Sequence, residues 1–396
     1  MRVPTLQHAR QVLQAIGARQ GEQARIQARI ASGLRVQSPG DDPAAAAQAE
    51  LARSRLALLA QQGRATDVAN TRLGSADTAL GRGIDVLESA RDALVAAGNA
   101  GLTAPDRQAL ALQLRSARDQ LLAVANSEDG AGGWVFGGQG ASAAPFSSGS
   151  SPAFTAAAGD QGIGDDGRFT ASLDGRAVFM DLPQGNGVFT TSSAPGNTGT
   201  GWIGTGSVVD AAQLTGHGYA ITVGGTAAAP TLTVTDTTSG STVLSGAAYQ
   251  PGGDITVDGQ RVRLNGAPAV GDRFTLAPAG RQSVFAMLDQ AATLLEGGGS
   301  APATNEGLDR ALAGVDRALD SLRLARTRNG EELRSVQSAA DDASLDTVNT
   351  TARRKDLRDL DMAQAITDLQ ASQTAGQAAL QSYAATQRKS LFDLLG

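Results

Sequence analysis

The chain has 396 residues, a net charge of −6 and no cysteine, which excludes disulfides, thiolate nucleophiles and cysteine-ligated metal sites together. Its acidic balance, with a pI near 5.1, offers no global positive field to a polyphosphate and disfavours nucleic acid as a partner. Only His8 and His217 carry imidazoles, so a site built on a histidine cluster is excluded, and aromatic residues make up 4% of the chain against 49 glycines.

No apolar run approaches the roughly 18 residues a membrane span needs, and the opening MRVPTLQHAR lacks the apolar core of a secretory leader. Neither a membrane partner nor a cleavable signal is expected. From Thr5 to Ser32, Leu6, Ala9, Leu13, Ile16, Ile26 and Ile30 recur in three- and four-residue steps interrupted by Gln20, Gln23 and Gln27, which predicts a helix stopped by Gly33. So thin a stripe makes that helix marginal alone, and it is expected to order on assembly. After the loop Leu34 to Asp41, Asp42 and Pro43 form an N-cap and first-turn pair, because the carboxylate accepts orphan amides and proline needs no donor there.

A long helix is expected from Pro43, with Leu73, Ala76, Leu80, Ile84, Leu87, Ala90, Leu94 and Ala97 on one stripe and Gly98 and Gly101 ending it. Thr103, Pro105 and Asp106 start another, carrying Leu110, Leu114, Ala117, Leu121 and Val124. Composition then shifts. Between Phe146 and Gly280 there is no Glu or Lys, charge is about half as frequent as elsewhere, and Gly, Thr and Val predict strands joined by turns. Beyond it, Leu308, Leu312, Val315, Leu319, Leu322, Arg326, Asn329, Leu333, Val336 and Ala340 keep a heptad seam. Met362, Ile366, Leu369, Gln373, Gly376, Leu380 and Tyr383 resume it. An unbroken helix from Asn305 to Leu394 would extend roughly 130 Å, so a rod is expected.

Rival chemistry is thin. Two G-x-G-x-x-G matches, Gly162-Gly164-Gly167 and Gly199-Gly201-Gly204, lack the helical continuation that would aim amides at a pyrophosphate. Asp41 with Asp42, and Asp165 with Asp166, have no further oxygen ligands at the spacing of a calcium loop and read as caps and turns. No G-x-S-x-G elbow accompanies either histidine. The basic run Arg353-Arg354-Lys355 is followed by Asp356, Asp359 and Asp361, the alternation of a solvated or inter-subunit helix face. No catalytic, cofactor or metal residue is assigned, and no enzyme is expected.

The fold class is therefore α+β: an elongated, coiled-coil-like helical rod made by the two flanks, with an inserted β-rich domain. The boundaries are 1–42 for an N-terminal assembly helix and loop, 43–145 and 281–376 for the two halves of the rod, 146–280 for an outer β-rich domain and 377–396 for a C-terminal assembly helix. Subunit-to-subunit packing is assigned to Leu6, Ile16, Ile26, Ile30, Leu369, Leu380, Tyr383, Leu391, Phe392 and Leu394, whose helices have no other partner in sequence.

Ser32-Gly33-Leu34-Arg35-Val36 followed by Ser38-Pro39-Gly40-Asp41-Asp42-Pro43-Ala44 resembles the amino-terminal signature of the bacterial flagellin and flagellar hook-associated protein family. The opening Arg2-Val3-Pro4-Thr5 and the closing Ser390-Leu391-Phe392-Asp393-Leu394-Leu395 are more similar to its hook–filament junction members than to flagellin. Gly132-Gly133-Trp134-Val135-Phe136-Gly137-Gly138 and Gly271-Asp272-Arg273-Phe274-Thr275 add to the likeness. Two departures stand out: Leu34 where a basic residue is usual, and Gly40 where serine is. The resemblance implies an extracellular structural protein of the flagellum, exported without a cleavable signal, that joins hook to filament through paired terminal helices. It implies as partners other copies of the chain, the adjoining hook-associated protein, flagellin, and an export chaperone on the C-terminal helix. Filament flagellin itself is one alternative, and an adhesive or carbohydrate-binding β-rich head on a coiled-coil stalk is another.

Overall fold

A computed structural model describes residues 3–99, 101–149, 151–163 and 169–392, without some side chains near the two termini and beside residues 164–168. Seven α-helices are present among the described residues: α1 (Val3–Ser32), α2 (Pro43–Ala97), α3 (Ala104–Ala125), α4 (Gly175–Phe179), α5 (Val284–Glu296), α6 (Ala301–Arg358) and α7 (Met362–Phe392). The chain divides into two compact units, a terminal one of residues 1–64 and 339–396 and a central one of residues 65–338. Both divisions fall inside helices, α2 and α6, rather than at the changes of composition.

Helix starts follow local chemistry. Thr103 and Asp106 form a reciprocal capping box on α3, each side chain meeting the other's backbone N–H. Ser283 caps α5 by accepting from the Ala286 amide at 3.0 Å. Asp174 caps the short α4, which lies inside the segment expected to hold strands alone. The unbroken helix expected from Asn305 to Leu394 is interrupted at residues 359–361, for the reasons given below.

The helical part of the central unit buries Leu80, Leu87 and Leu94 of α2, Leu114 and Leu121 of α3, Phe285 and Leu288 of α5, and Val315, Leu319 and Leu322 of α6 in one core. Five of the nine phenylalanines meet in this unit: Phe136 and Phe179 lie edge to face at 4.9 Å, and Phe146 contacts Phe154, Phe179 and Phe285. A chain poor in aromatics thus concentrates them where the Gly-rich 132–138 segment meets helix.

Strands run from Gln161 to Gln282: β1 (Gln161–Ile163), β2 (Phe169–Ser172), β3 (Leu182–Pro183), β4 (Phe189–Ser193), β5 (Trp202–Ile203), β6 (Ser207–Val208), β7 (Tyr219–Thr226), β8 (Ala229–Asp236), β9 (Thr242–Ala248), β10 (Asp254–Val257), β11 (Gln260–Asn265), β12 (Arg273–Pro278) and β13 (Arg281–Gln282). The largest sheet is antiparallel in the order β4-β12-β7-β8-β9. A smaller one joins β10, β11, β5 and β6. Their inner faces alternate as half-buried strands should, and Phe189, Tyr219, Ile221, Val234, Leu264 and Phe274 fill a second core.

The outer edge of β4 is closed by α6. Glu306 accepts from the Ser193 amide and hydroxyl, Arg310 donates to the Thr191 carbonyl at 3.1 Å, and Asp309 accepts from the Thr205 amide at 2.7 Å. At the opposite edge, the pairing of β9 with β8 is broken by register shifts, and Gly246 has a φ of +63°.

The second glycine pattern is a loop clasp. The Asp272 carboxylate, 2% exposed, accepts from the amides of Thr198 at 2.8 Å, Gly199 at 3.1 Å and Ala269 at 2.8 Å. A Cβ on Gly199 would lie 2.3 Å from the Ala269 nitrogen, and the strand β5 follows, not a helix. Gly162 of the first pattern lies in a hairpin strand, while residues 164–168, including Asp165 and Asp166, lie outside the described residues. His217 Nδ1 is 2.7 Å from Asp236 Oδ2, and the Ser239 hydroxyl donates to that same carboxylate oxygen, not to the imidazole.

Candidate assembly interface

The terminal unit contains α1, the first part of α2, the last part of α6 and α7. Helix α1 ends as its sequence dictates. Gly33 takes a left-handed φ of +69°, its amide donates to the Arg29 carbonyl at 2.8 Å, and no atom crowds the position of a Cβ. The loop is held by two carboxylates. Asp41 accepts from the amides of Gln37 at 3.1 Å and Ser38 at 2.9 Å, and Asp42 caps α2 through the Ala45 amide at 3.0 Å. The Ser38 and Gln37 amides hold the Asp41 carboxyl below its ordinary value, and the Ala45 amide with Arg35 does so for Asp42. Pro43 is the first helical residue of α2.

This loop docks on the interruption between α6 and α7. Leu34 and Asp359 form an antiparallel bridge. The Arg35 amide donates to the Arg358 carbonyl at 2.8 Å, the Leu360 amide to the Gly33 carbonyl at 2.9 Å, and Arg35 Nη2 to the Leu357 carbonyl at 2.7 Å. The last carbonyls of a helix have no partner within it, and here the amino-terminal loop supplies partners for two of them. Asp361 then starts α7 by accepting from the amides of Ala363 at 3.0 Å and Gln364 at 3.1 Å. The interruption therefore has two causes: an outside donor at one helix end and a cap at the next start.

Helices α1 and α7 pack on each other. On α1 the least exposed positions are Val12, Ile16, Gln23, Ile26, Arg29 and Ile30; on α7 they are Ala365, Leu369, Ser372, Gly376, Ala379 and Tyr383, with Ala375 beside them. The heptad seam expected on α7 is thus rotated in part. Ile16, Ile26, Ile30, Leu369 and Tyr383 are half-buried, whereas Leu380 is 49% exposed, and Ile366 and Leu13 lie on exposed faces. Small residues at 365, 372 and 379 take the seam because they let two backbones approach, leaving bulkier neighbours outward. A groove of about 410 Å³ runs between the helices, bounded by Ile16, Gln20 and Gln23 on one side and Gln373, Gly376 and Leu380 on the other. The side chains of Leu6, Leu391 and Phe392, and Leu394 entirely, lie outside the described residues.

Sequence reasoning missed Arg35 as a donor across the chain, the Asp361 cap, and the small-residue stripe. The aspartate just before Met362 was the available signal for the cap. Among the described residues no three His, Asp or Glu side chains converge on a metal position, and no helix is long and apolar enough to cross a membrane.

Residues 3–141 match the family described as the bacterial flagellin N-terminal helical region. Flagellar hook-associated protein 3 of Salmonella typhimurium is 34% identical over 146 residues, 37% of this chain and 46% of that protein, so the chain spans about half the length of this curated relative. A crystal structure of Xanthomonas campestris FlgL is 28% identical with a TM-score of 0.68, covering 75% of this chain and 97% of that one. Flagellar hook-associated protein 3 from Legionella pneumophila shares the fold, with a TM-score of 0.72 at 24% identity over 78% of this chain and 98% of that one. The likeness read from the motifs thus extends to the sequence of the amino-terminal flank and to the fold of about three quarters of the chain.

Proposed function

We propose that this chain, with a flagellin-type amino-terminal region and the fold of hook-associated protein 3, is a structural protein of the bacterial flagellum that polymerises as an adapter between hook and filament. One observation carries the reading. Among the described residues, eight of the sixteen exposed large apolar side chains lie in the terminal unit, which is under a third of the chain. They include Leu51 at 71%, Leu345 at 63% and Val348 at 64% exposure. Apolar side chains concentrated on the exposed faces of these helices are where a contact between copies would form.

In this reading the terminal helices are the assembly elements and the β-rich residues 146–280 form an outer domain. Ile16, Ile26, Ile30, Leu369, Leu380, Tyr383, and with them Leu6, Leu391, Phe392 and Leu394, meet neighbouring subunits. The flanking partners are another hook-associated protein on the hook side and flagellin on the filament side. An export chaperone covers the C-terminal helix before secretion. The chain acts outside the cell, as a structural component and not as an enzyme.

A strain lacking the chain tests this directly. Intact hooks without filaments, with flagellin monomers released into the medium, are expected, and the full-length chain should restore filaments. Hooks that lack filaments while no flagellin is released would make the chain the filament subunit instead. Normal filaments in the null strain would refute a flagellar structural role.

A further inference from the structure

Helices α6 and α7 are parted by residues 359–361, yet nothing in the local sequence forbids a helix there. The stretch from Lys355 to Ala365 contains neither glycine nor proline, the residues that most strongly oppose helix. The last helical bond before the break runs from the Asp359 amide to the Lys355 carbonyl at 2.7 Å, and the first after it from the Ala365 amide to the Asp361 carbonyl at 2.9 Å. An unbroken helix would send the amides of residues 360–364 to the carbonyls of residues 356–360.

Those bonds are made elsewhere. The Leu360 amide donates to the Gly33 carbonyl at 2.9 Å, and the Ala363 and Gln364 amides to the Asp361 carboxylate at 3.0 and 3.1 Å. The Leu357 carbonyl accepts from the Arg35 guanidinium at 2.7 Å, and the Arg358 carbonyl from the Arg35 amide at 2.8 Å. Among the described residues, the Asp361 and Met362 amides have no protein partner. They are the two that a continuous helix would direct to the Leu357 and Arg358 carbonyls. Arg35 therefore occupies both acceptors on which continuity depends, and the two sets of bonds exclude each other. Mutually exclusive bonding makes two discrete arrangements in place of a graded bend.

We propose that the loop of residues 33–36 is a latch: docked, it holds α6 and α7 as two helices, and withdrawn, it lets them fuse into one. Its link to α1 is direct, because Gly33 ends that helix and α1 itself packs on α7. An engagement that draws α1 away from α7 pulls the latch off its carbonyls as well, and α6 registers the event as a gain of continuity. The switch lies within the terminal unit and stands apart from the flagellar reading.

Hydrogen exchange in the purified full-length chain tests it, because fusion and simple loosening move the same amides in opposite directions. Arg35→Pro removes the amide donor and the guanidinium together, and Leu34 before it already pairs in extended conformation, as proline requires. Combined with Asp361→Ala, which removes the α7 cap, it should slow exchange at the Asp361-position and Met362 amides by about tenfold or more, the protection of a helical bond. Asp361→Ala alone, an exposed substitution that leaves the loop intact, should shift them the same way to a smaller extent. Adding Met362→Pro should restore fast exchange at position 361, since proline suits the first residue of α7 and is incompatible with a helix interior. Arg35→Ala keeps both backbone bonds and is expected to loosen the latch without releasing it. Unchanged or faster exchange at 361 and 362 in both the combined and the Asp361→Ala variants would overturn the proposal. So would slow exchange at 361 that persists with Met362→Pro, because the protection would then not come from a continuous helix.

Discussion

Arg35 and Leu357, 322 residues apart in sequence, are joined by a 2.7 Å hydrogen bond from the guanidinium to the helix-terminal carbonyl, and the adjoining Arg35 amide reaches Arg358. One residue of the amino-terminal loop therefore closes an open end of a carboxyl-terminal helix. The flagellin-type signature has a physical task here: Gly33 turns the chain, Asp41 and Asp42 brace the loop, and Arg35 carries it onto α6.

Arg35→Ala removes the side-chain donor and leaves the backbone bonds. A loss of about 1–2 kcal/mol is expected, confined to the terminal unit. Hydrogen exchange should accelerate at residues 357–365 and stay unchanged in the core of the central unit. Equal acceleration throughout would show that the contact is not local.

Leu380→Asp places a charge on a half-exposed position of the isolated subunit, so its melting temperature should stay within about 2 °C of the parent. In the assembled layer the same carboxylate would be buried without a partner, at several kcal/mol. Incorporation at the hook end, scored by filament recovery in the null strain, should fail. Normal recovery would remove Leu380 from the interface.

Asp272→Asn replaces one acceptor oxygen of a buried carboxylate by a donor facing other donors. About 2 kcal/mol of destabilisation is expected, read as a lower denaturant midpoint of the full chain. An unchanged midpoint would mean that the 198–199 loop holds without the clasp.

Several carboxyls titrate low in the folded chain. Arg326 holds the Asp77 carboxyl below the ordinary aspartate range, and the Thr103 hydroxyl and amide do so for Asp106. Burial pushes the Asp236 carboxyl up, but the Ser239 hydroxyl and amide, His217 and the Thr238 amide outweigh it and hold the group well below 3.8. A carboxyl depressed on folding stabilises above its unfolded value, and that stability fades as pH falls below about 4. Melting temperature should decline through this range, and Asp236→Asn should flatten the decline while lowering stability at neutral pH. An acid limb identical to the parent's would refute the assignment to Asp236.

Much of the helical frame was legible because its signals are local. Thr103 with Asp106, Asp42 with Pro43, and Gly33 each mark a terminus without help from distant residues, and the stripe from Leu73 to Ala97 repeats often enough to name its buried face. The interruption near residue 360 was not legible as a stop, because the heptad continues across it and the decisive donor is Arg35, far away in sequence. The α7 face was partly misread for a related reason. Hydrophobicity ranks Ile366 and Leu380 above Ala365 and Ala379, whereas two closely approaching helices select for size. Strand order was beyond reach, since Val- and Thr-rich segments such as β7 and β8 carry alternation but no address for a partner.

The two borders of the largest sheet limit strand-by-strand stacking between copies of the chain. With β4 sealed by Glu306 and Arg310, and β9 kinked out of regular pairing, neither margin offers a long flat template for strand-by-strand stacking. Under the proposed assembly role, copies crowded together would be kept from pairing through their sheet edges, and the helices would be left to make the contacts.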